Sequence, residues 1–135
     1  MRSCTLWVSS LLLATLCAAG NAAEKRAITH EAMWTLPRVA APVLSNDGSF
    51  AVFSVTQASY QAADTRADLW RIQTDGKSAP QQLTQHPSAE SQPHISPDGR
   101  WLAFVAKRDG DEVAQIYLLD LQNAGEARRL TQVPT

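Results

Sequence analysis

The chain has 135 residues, 44% of them hydrophobic and 19% charged, with a formal net charge of −1. Its basic residues are scattered, and the pairs Lys25-Arg26, Lys107-Arg108 and Arg128-Arg129 each have an acidic neighbour (Glu24, Asp109, Glu126). Such a surface does not track phosphates, so nucleic acid is excluded as an expected partner.

The N-terminus opens on Met1-Arg2 and passes into an apolar stretch centred on Leu11, Leu12, Leu13 and Leu16. Small residues follow at Ala18-Ala19-Gly20-Asn21-Ala22-Ala23, then the charged run Glu24-Lys25-Arg26. A positive start, an apolar middle and a small-residue exit predict a signal peptide over residues 1–23, cut after Ala22 or Ala23. The stretch is shorter than the ~18–20 residues that span a bilayer, and a bulky Leu16 precedes Cys17 where lipid attachment favours a small residue. The expected destination is periplasmic or secreted, with no membrane partner after cleavage. Both cysteines, Cys4 and Cys17, fall inside this leader, so the mature part is expected to have no thiol chemistry.

Residues 24–41 form an N-terminal segment. Within it Thr29-His30-Glu31-Ala32-Met33-Trp34-Thr35-Leu36 predicts a short helix, capped by Thr29 and stopped before Pro37. Met33 and Leu36 share one face, which predicts docking on the body of the domain, with an amphipathic partner-binding helix as the alternative.

The remainder repeats itself. Pro42-Val43-Leu44-Ser45-Asn46-Asp47-Gly48-Ser49-Phe50-Ala51-Val52-Phe53 returns as Pro93-His94-Ile95-Ser96-Pro97-Asp98-Gly99-Arg100-Trp101-Leu102-Ala103-Phe104, 51 positions later. Asp68-Leu69-Trp70-Arg71-Ile72 matches Gln115-Ile116-Tyr117-Leu118-Leu119, and Leu83-Thr84-Gln85-His86-Pro87 returns as Leu130-Thr131-Gln132-Val133-Pro134, both 47 positions on. The offset shrinks because the first unit carries a longer loop around residues 57–66. A period near 50 with several short strands per unit marks a β-propeller blade. The predicted fold class is therefore all-β: two four-stranded antiparallel blades, residues 42–87 and 88–135, of an incomplete propeller, preceded by a short helix.

Local chemistry agrees with this reading. Ser-Pro-Asp-Gly suits a tight turn, since proline presets φ, Asp bonds its own backbone, and Gly accepts a positive φ. Trp101-Leu102-Ala103-Phe104-Val105-Ala106 is apolar on both faces, as a strand buried between blades requires. Residues 107–112 read as a solvated hairpin tip.

Candidate chemistry is sparse. No serine sits in a Gly-x-Ser-x-Gly setting. His30, His86 and His94 have no helical ligand spacing, and no cysteine or carboxylate cluster accompanies them. Asp47 and Asp98 read as turn residues, and Asp109, Asp111 and Glu112 do not fit a calcium loop. Trp34, Trp70 and Trp101 could form a stacking set, although strand packing accounts for Trp70 and Trp101. No catalytic, cofactor or metal residue is assigned.

The turn Ser96-Pro97-Asp98-Gly99-Arg100-Trp101-Leu102-Ala103-Phe104 resembles the repeat shared by Tol-system propellers and prolyl oligopeptidase-type peptidases. Ile28-Thr29-His30-Glu31-Ala32-Met33-Trp34, leading to Val43-Leu44-Ser45-Asn46-Asp47-Gly48, resembles the opening of the acylaminoacyl-peptidase and dipeptidyl-peptidase branch of that family. Ala51-Val52-Phe53-Ser54-Val55-Thr56 with Ala67-Asp68-Leu69-Trp70 does so too, and residues 110–121 are similar to that branch's second blade. One departure is Asn46 where Pro is usual, which is expected to relax the first turn.

The resemblance implies an exported serine peptidase in which a propeller gates a C-terminal α/β-hydrolase domain and admits short peptides. Its expected partners are thus peptide substrate and that hydrolase domain, with no cofactor. The family's Ser, Asp and His lie in the hydrolase domain, and no position of this sequence matches them. The alternatives are a Tol-like periplasmic propeller serving as a protein-binding scaffold, and a propeller lyase or lactonase holding its own metal.

Overall fold

The computed structural model describes residues 27–61, 64–123 and 125–134. The predicted leader, with Cys4 and Cys17, lies outside the described residues.

After helix α1 (His30–Trp34) the described residues form nine strands: β1 (Arg38–Val39), β2 (Val43–Leu44), β3 (Phe50–Gln57), β4 (Arg66–Gln73), β5 (Gln81–Gln82), β6 (Glu90–Ile95), β7 (Trp101–Ala106), β8 (Gln115–Asp120) and β9 (Arg128–Arg129). They make two antiparallel sheets, a five-stranded one of β1 to β5 and a four-stranded one ordered β6-β7-β8-β9. The extra strand of the first sheet has a simple origin. In the second sheet β6 runs unbroken apart from a bulge between Ser91 and His94, where Gln92 adopts a positive φ of 51°. In the first sheet the same stretch contains Ala40-Ala41-Pro42, and β1 and β2 pair with β3 on either side of it. Pro42 and its counterpart Pro93 both bring no amide hydrogen to a ladder, and the pairing is irregular at each, as a break between β1 and β2 in the first sheet and as the bulge of β6 in the second.

The internal repeat is reproduced bond for bond. Phe50 N donates to Ser45 Oγ at 3.1 Å and Trp101 N donates to Ser96 Oγ at 2.8 Å. The Ser45 hydroxyl donates to Asp47 Oδ1 and the Ser96 hydroxyl to Asp98 Oδ1. Gly48 and Gly99 both close their turns at φ 71°, in the left-handed region that glycine occupies without a Cβ penalty. With Asn46 in place of proline the first turn keeps the same set of bonds, and its Phe50 N–Ser45 Oγ bond is 0.3 Å longer than its counterpart (3.1 against 2.8 Å). At the far end of each unit Leu69 N donates to Thr84 Oγ1 and Ile116 N to Thr131 Oγ1, each at 2.9 Å.

The core lies between the two sheets. Phe50, Val52 and Leu69 of the first sheet pack with Leu102, Phe104, Ala106, Tyr117 and Leu119 of the second. Strand register puts Phe50, Val52, Ser54, Leu69 and Arg71 on one face of the first sheet, and Ala51, Phe53, Val55, Asp68, Trp70 and Ile72 on the other. In the second sheet Leu102, Phe104, Ala106, Gln115, Tyr117 and Leu119 share the face turned toward the first, while Trp101, Ala103, Val105, Ile116 and Leu118 share the opposite one. Each blade thus has a leading face and a trailing face, and the core joins one trailing face to one leading face.

Helix α1 departs from expectation. It is five residues long, with Thr29 Oγ1 accepting from Ala32 N at 3.1 Å. None of its residues is buried, and Met33 and Leu36 are 58% and 57% exposed. Its contacts are aromatic: Trp34 stacks on His30 and on Tyr60 of the β3–β4 loop, and Arg38 lies 5.7 Å from the indole centroid.

Candidate functional site

The residues singled out in the sequence do not converge. His30 is on α1 and His94 is exposed on β6. His86 is half-buried in the connection between the sheets, where its Nδ1 accepts from Ser88 N at 3.1 Å. Among the described residues no histidine is hydrogen-bonded to a serine hydroxyl, and no three His, Cys, Asp or Glu side chains gather as metal ligands. Asp47 and Asp98 serve their turns; the hydroxyl and amide donors of Ser45 and Ser49 hold Asp47 down at about 2, and Ser96 with the Arg100 amide lowers Asp98. The tryptophans stay apart: Trp34 belongs to the helix cluster, Trp70 to a leading face, and Trp101 to a trailing face between the Arg100 and Arg128 guanidiniums.

One constellation escaped the sequence reading. In the tip at residues 107–112, Lys107, Asp109, Gly110 and Glu112 are exposed as expected, but Asp111 is 8% exposed and sits inside a charged network. Its Oδ2 accepts from the Tyr117 hydroxyl at 2.6 Å and from the Arg108 amide at 3.0 Å. Its Oδ1 pairs with Arg129 of β9 at 2.9 Å. These donors hold Asp111 at about 2, Tyr117 contributing most. Burial, followed by the hydrogen bond to Asp111, pushes the Tyr117 phenol above its ordinary range.

Arg108 continues the network inward. Its guanidinium pairs with the fully buried Glu90 at 2.7 Å and lies 4.5 Å from the Tyr117 ring centroid and 5.7 Å from that of Phe104. The first blade has no counterpart, since the residue matching Glu90 is Val39. The signal that could have exposed the network was Glu90 itself, a charged residue where the repeat places the apolar Val39 in the first blade.

Arg108 also lines a groove of about 320 Å³ between the blades, walled by Gln82, Thr84, His86, Leu119 and Ala127 among others. A second depression of about 410 Å³ lies beyond Asp111 and Arg129, against Val133 and Pro134. Neither holds a nucleophile paired with a base. What the arrangement can do is bind, orient and exclude.

No protein-family model matches the chain. Over 111 residues, 82% of this chain, it is 33% identical to the uncharacterised peptidase YuxL of Bacillus subtilis, spanning 16% of that protein. Over 83 residues, 62% of this chain, it is 32% identical to dipeptidyl-peptidase 5 of Porphyromonas gingivalis, spanning 12% of that protein. Among solved structures, a TolB from Agrobacterium tumefaciens covers 68% of this chain and 32% of its own, with a TM-score of 0.52 and 24% identity. The β-propeller domain of the Trilobed protease from Pyrococcus furiosus covers 70% of this chain and 28% of its own, with a TM-score of 0.51 and 17% identity.

The chain is a β-propeller segment, related in sequence to proteins named as peptidases.

The two solved folds carry the propeller architecture, and the two curated relatives carry the peptidase relation. This propeller segment spans less than a fifth of either curated relative. Among its described residues no helix is long and apolar enough to cross a membrane.

Proposed function

We propose that these blades open the propeller of an exported peptidase of the prolyl oligopeptidase type, in its acylaminoacyl-peptidase and dipeptidyl-peptidase branch. The observation that carries this reading is the 33% identity to a named peptidase, sustained over 82% of the chain. The predicted signal peptide supports export to the periplasm or medium.

In this reading bond cleavage belongs to an α/β-hydrolase domain of the whole protein, and the blades act as a filter. Their strands are fixed by antiparallel ladders and a shared apolar core. A wall of that kind excludes folded proteins by size and admits short peptides. The blades also offer a rigid surface on which the hydrolase domain can rest.

The test is to read the gene beyond the Thr135 codon and assay its whole product on dipeptidyl anilides and on a folded protein. Further blades leading to Gly-x-Ser-x-Gly, with hydrolysis of the small substrates alone, support the filter. A frame holding only further blades, or a product inert toward both substrates, overturns it in favour of a Tol-like binding scaffold. The likeness in fold to the Agrobacterium TolB is the observation that favours that second reading.

A further inference from the structure

The groove between the two blades holds a cation that the fold does not require. Its walls come from both blades and from the connection between β5 and β6. Blades added on either side of this pair pack on other faces and leave it as it is. Arg108 lines the groove from the second blade. The first blade builds the same ladder with Gln57 at the place of Arg108 and Val39 at the place of Glu90. A buried ion pair is a weak stabiliser, since desolvation offsets its attraction. What the pair achieves is position: Glu90 Oε1 takes Nη2 at 2.7 Å, and the Tyr117 ring centroid lies 4.5 Å from the guanidinium carbon.

The guanidinium keeps donors in reserve. Its Nε has no hydrogen-bond partner, and Nη1 reaches the Ala127 carbonyl only at 3.5 Å, beyond the usual range for such a bond. A fixed guanidinium with unspent N–H groups at the wall of a cleft suits a carboxylate. The other walls narrow the class. His86 lines the groove too, and its Nδ1 accepts from Ser88 N, so the ring carries its proton on Nε2 and offers a ligand a further donor. Glu126, exposed in the same groove, opposes a phosphate or any multiply charged anion and suits an ammonium. Leu83, Leu119 and Ala127 supply apolar wall. The volume of about 320 Å³ stands at the low end of the ~300–1,000 Å³ of small-ligand sites.

We infer that this groove binds a short zwitterionic peptide of dipeptide size, its carboxylate on Arg108, its ammonium on Glu126 and an apolar side chain against Leu119 and Ala127. The inference rests on the groove and not on the peptidase reading.

The experiment is titration calorimetry on the whole gene product, treated beforehand with a serine-directed sulfonyl fluoride so that no probe is cleaved. The probes are alanyl-leucine, its C-terminal amide and its N-acetyl form. Alanyl-leucine is expected to bind once per chain, and each blocked form about tenfold or more weakly, since each loses one charge-assisted contact. Glu126→Gln is expected to weaken alanyl-leucine by the same factor and to leave the N-acetyl form unchanged. The double variant Arg108→Met/Glu90→Leu removes both charges of the pair and is expected to bind alanyl-leucine no better than its amide. Circular dichroism verifies the strand spectrum of each variant; should the double variant lose it, Glu126→Gln, at an exposed position, and the blocked probes decide alone. No saturable binding of alanyl-leucine at millimolar concentration overturns the inference. Equal affinity for all three probes overturns it too, as does alanyl-leucine binding that Glu126→Gln leaves unchanged.

Discussion

Arg108 and Glu90 stand 18 residues apart in the chain and 2.7 Å apart in space, and the Glu90 side chain is entirely enclosed. Glu90 Oε2 and Arg108 Nε have no hydrogen-bond partner, so the two charges depend on each other, on the rings of Tyr117 and Phe104, and on a long bond from Arg108 to the Ala127 carbonyl at 3.5 Å. Removing one member leaves an uncompensated buried charge, which costs about 3–5 kcal/mol, whereas replacing both with apolar groups is often neutral. Arg108→Met is therefore expected to lower stability by about that amount, and the double variant Arg108→Met/Glu90→Leu to recover most of it. Urea denaturation followed by tryptophan fluorescence measures both. Equal losses in single and double variants would show that the pair does not act as a unit.

The Asp111–Tyr117 hydrogen bond sets the pH limits of the same network. Asp111 is held at about 2, below its ordinary 3.8, so its contribution to stability is full above pH 4 and is lost as pH falls toward 2. The Tyr117 phenol is raised above its ordinary 10.0, so its contribution is full below pH 10 and is lost as pH rises beyond. Asp111→Asn is expected to flatten the acid limb of a urea-midpoint profile between pH 4 and 2. Tyr117→Phe is expected to flatten the alkaline limb and to weaken the acid one, because Tyr117 is the chief cause of the Asp111 shift. An Asp111→Asn profile that keeps the wild-type acid slope would show that the other lowered carboxylates, Asp47, Asp98 and Asp120, carry it.

The fold was legible in the sequence because turn chemistry and strand phase are local. Ser45, Asp47 and Gly48 make their bonds within five residues, so their recurrence as Ser96, Asp98 and Gly99 announced the repeat directly. The charged network was not legible, because its two ion pairs each span 18 residues and depend on where the β7–β8 tip folds back. Residues 107–112 carry the composition of a solvated tip, and only the tertiary placement of Tyr117 and Arg129 turns Asp111 inward. The helix shows the converse. Its spacing implied docking, but five residues bring too little apolar surface, and Trp34 found an exposed partner in Tyr60.

Thr84 and Thr131 make one bond in two settings. Thr84 is buried and its hydroxyl is the acceptor for a buried Leu69 amide, whereas the Ile116 amide served by Thr131 is open to solvent. A buried donor left without an acceptor costs about 1–3 kcal/mol, while water replaces a lost exposed partner. Thr84→Val is expected to fall in that range and Thr131→Val below it, although Thr131 also donates to Gln115. Thermal unfolding of the two variants side by side tests this. Equal losses would indicate that the Ile116 strand is covered in solution.

Asn46 gives the last test. The first turn matches the second in its Ser–Asp bond, in the glycine amide donating to the serine carbonyl at 2.9 and 2.8 Å, and in a glycine φ of 71°. The second turn holds Pro97 at the position of Asn46, so the shared backbone already accommodates proline there. Proline at a compatible site stabilises by about 0.4–1 kcal/mol, chiefly by removing freedom from the unfolded chain. Asn46→Pro is thus expected to raise the unfolding midpoint by that amount. Gly48→Ala is expected to lower it by about 1 kcal/mol or more: a Cβ there meets nothing within 4 Å, and the whole penalty comes from the left-handed φ. A loss of stability on Asn46→Pro would mean that the asparagine amide makes a contact proline cannot supply, and that the two turns are alike in outline only.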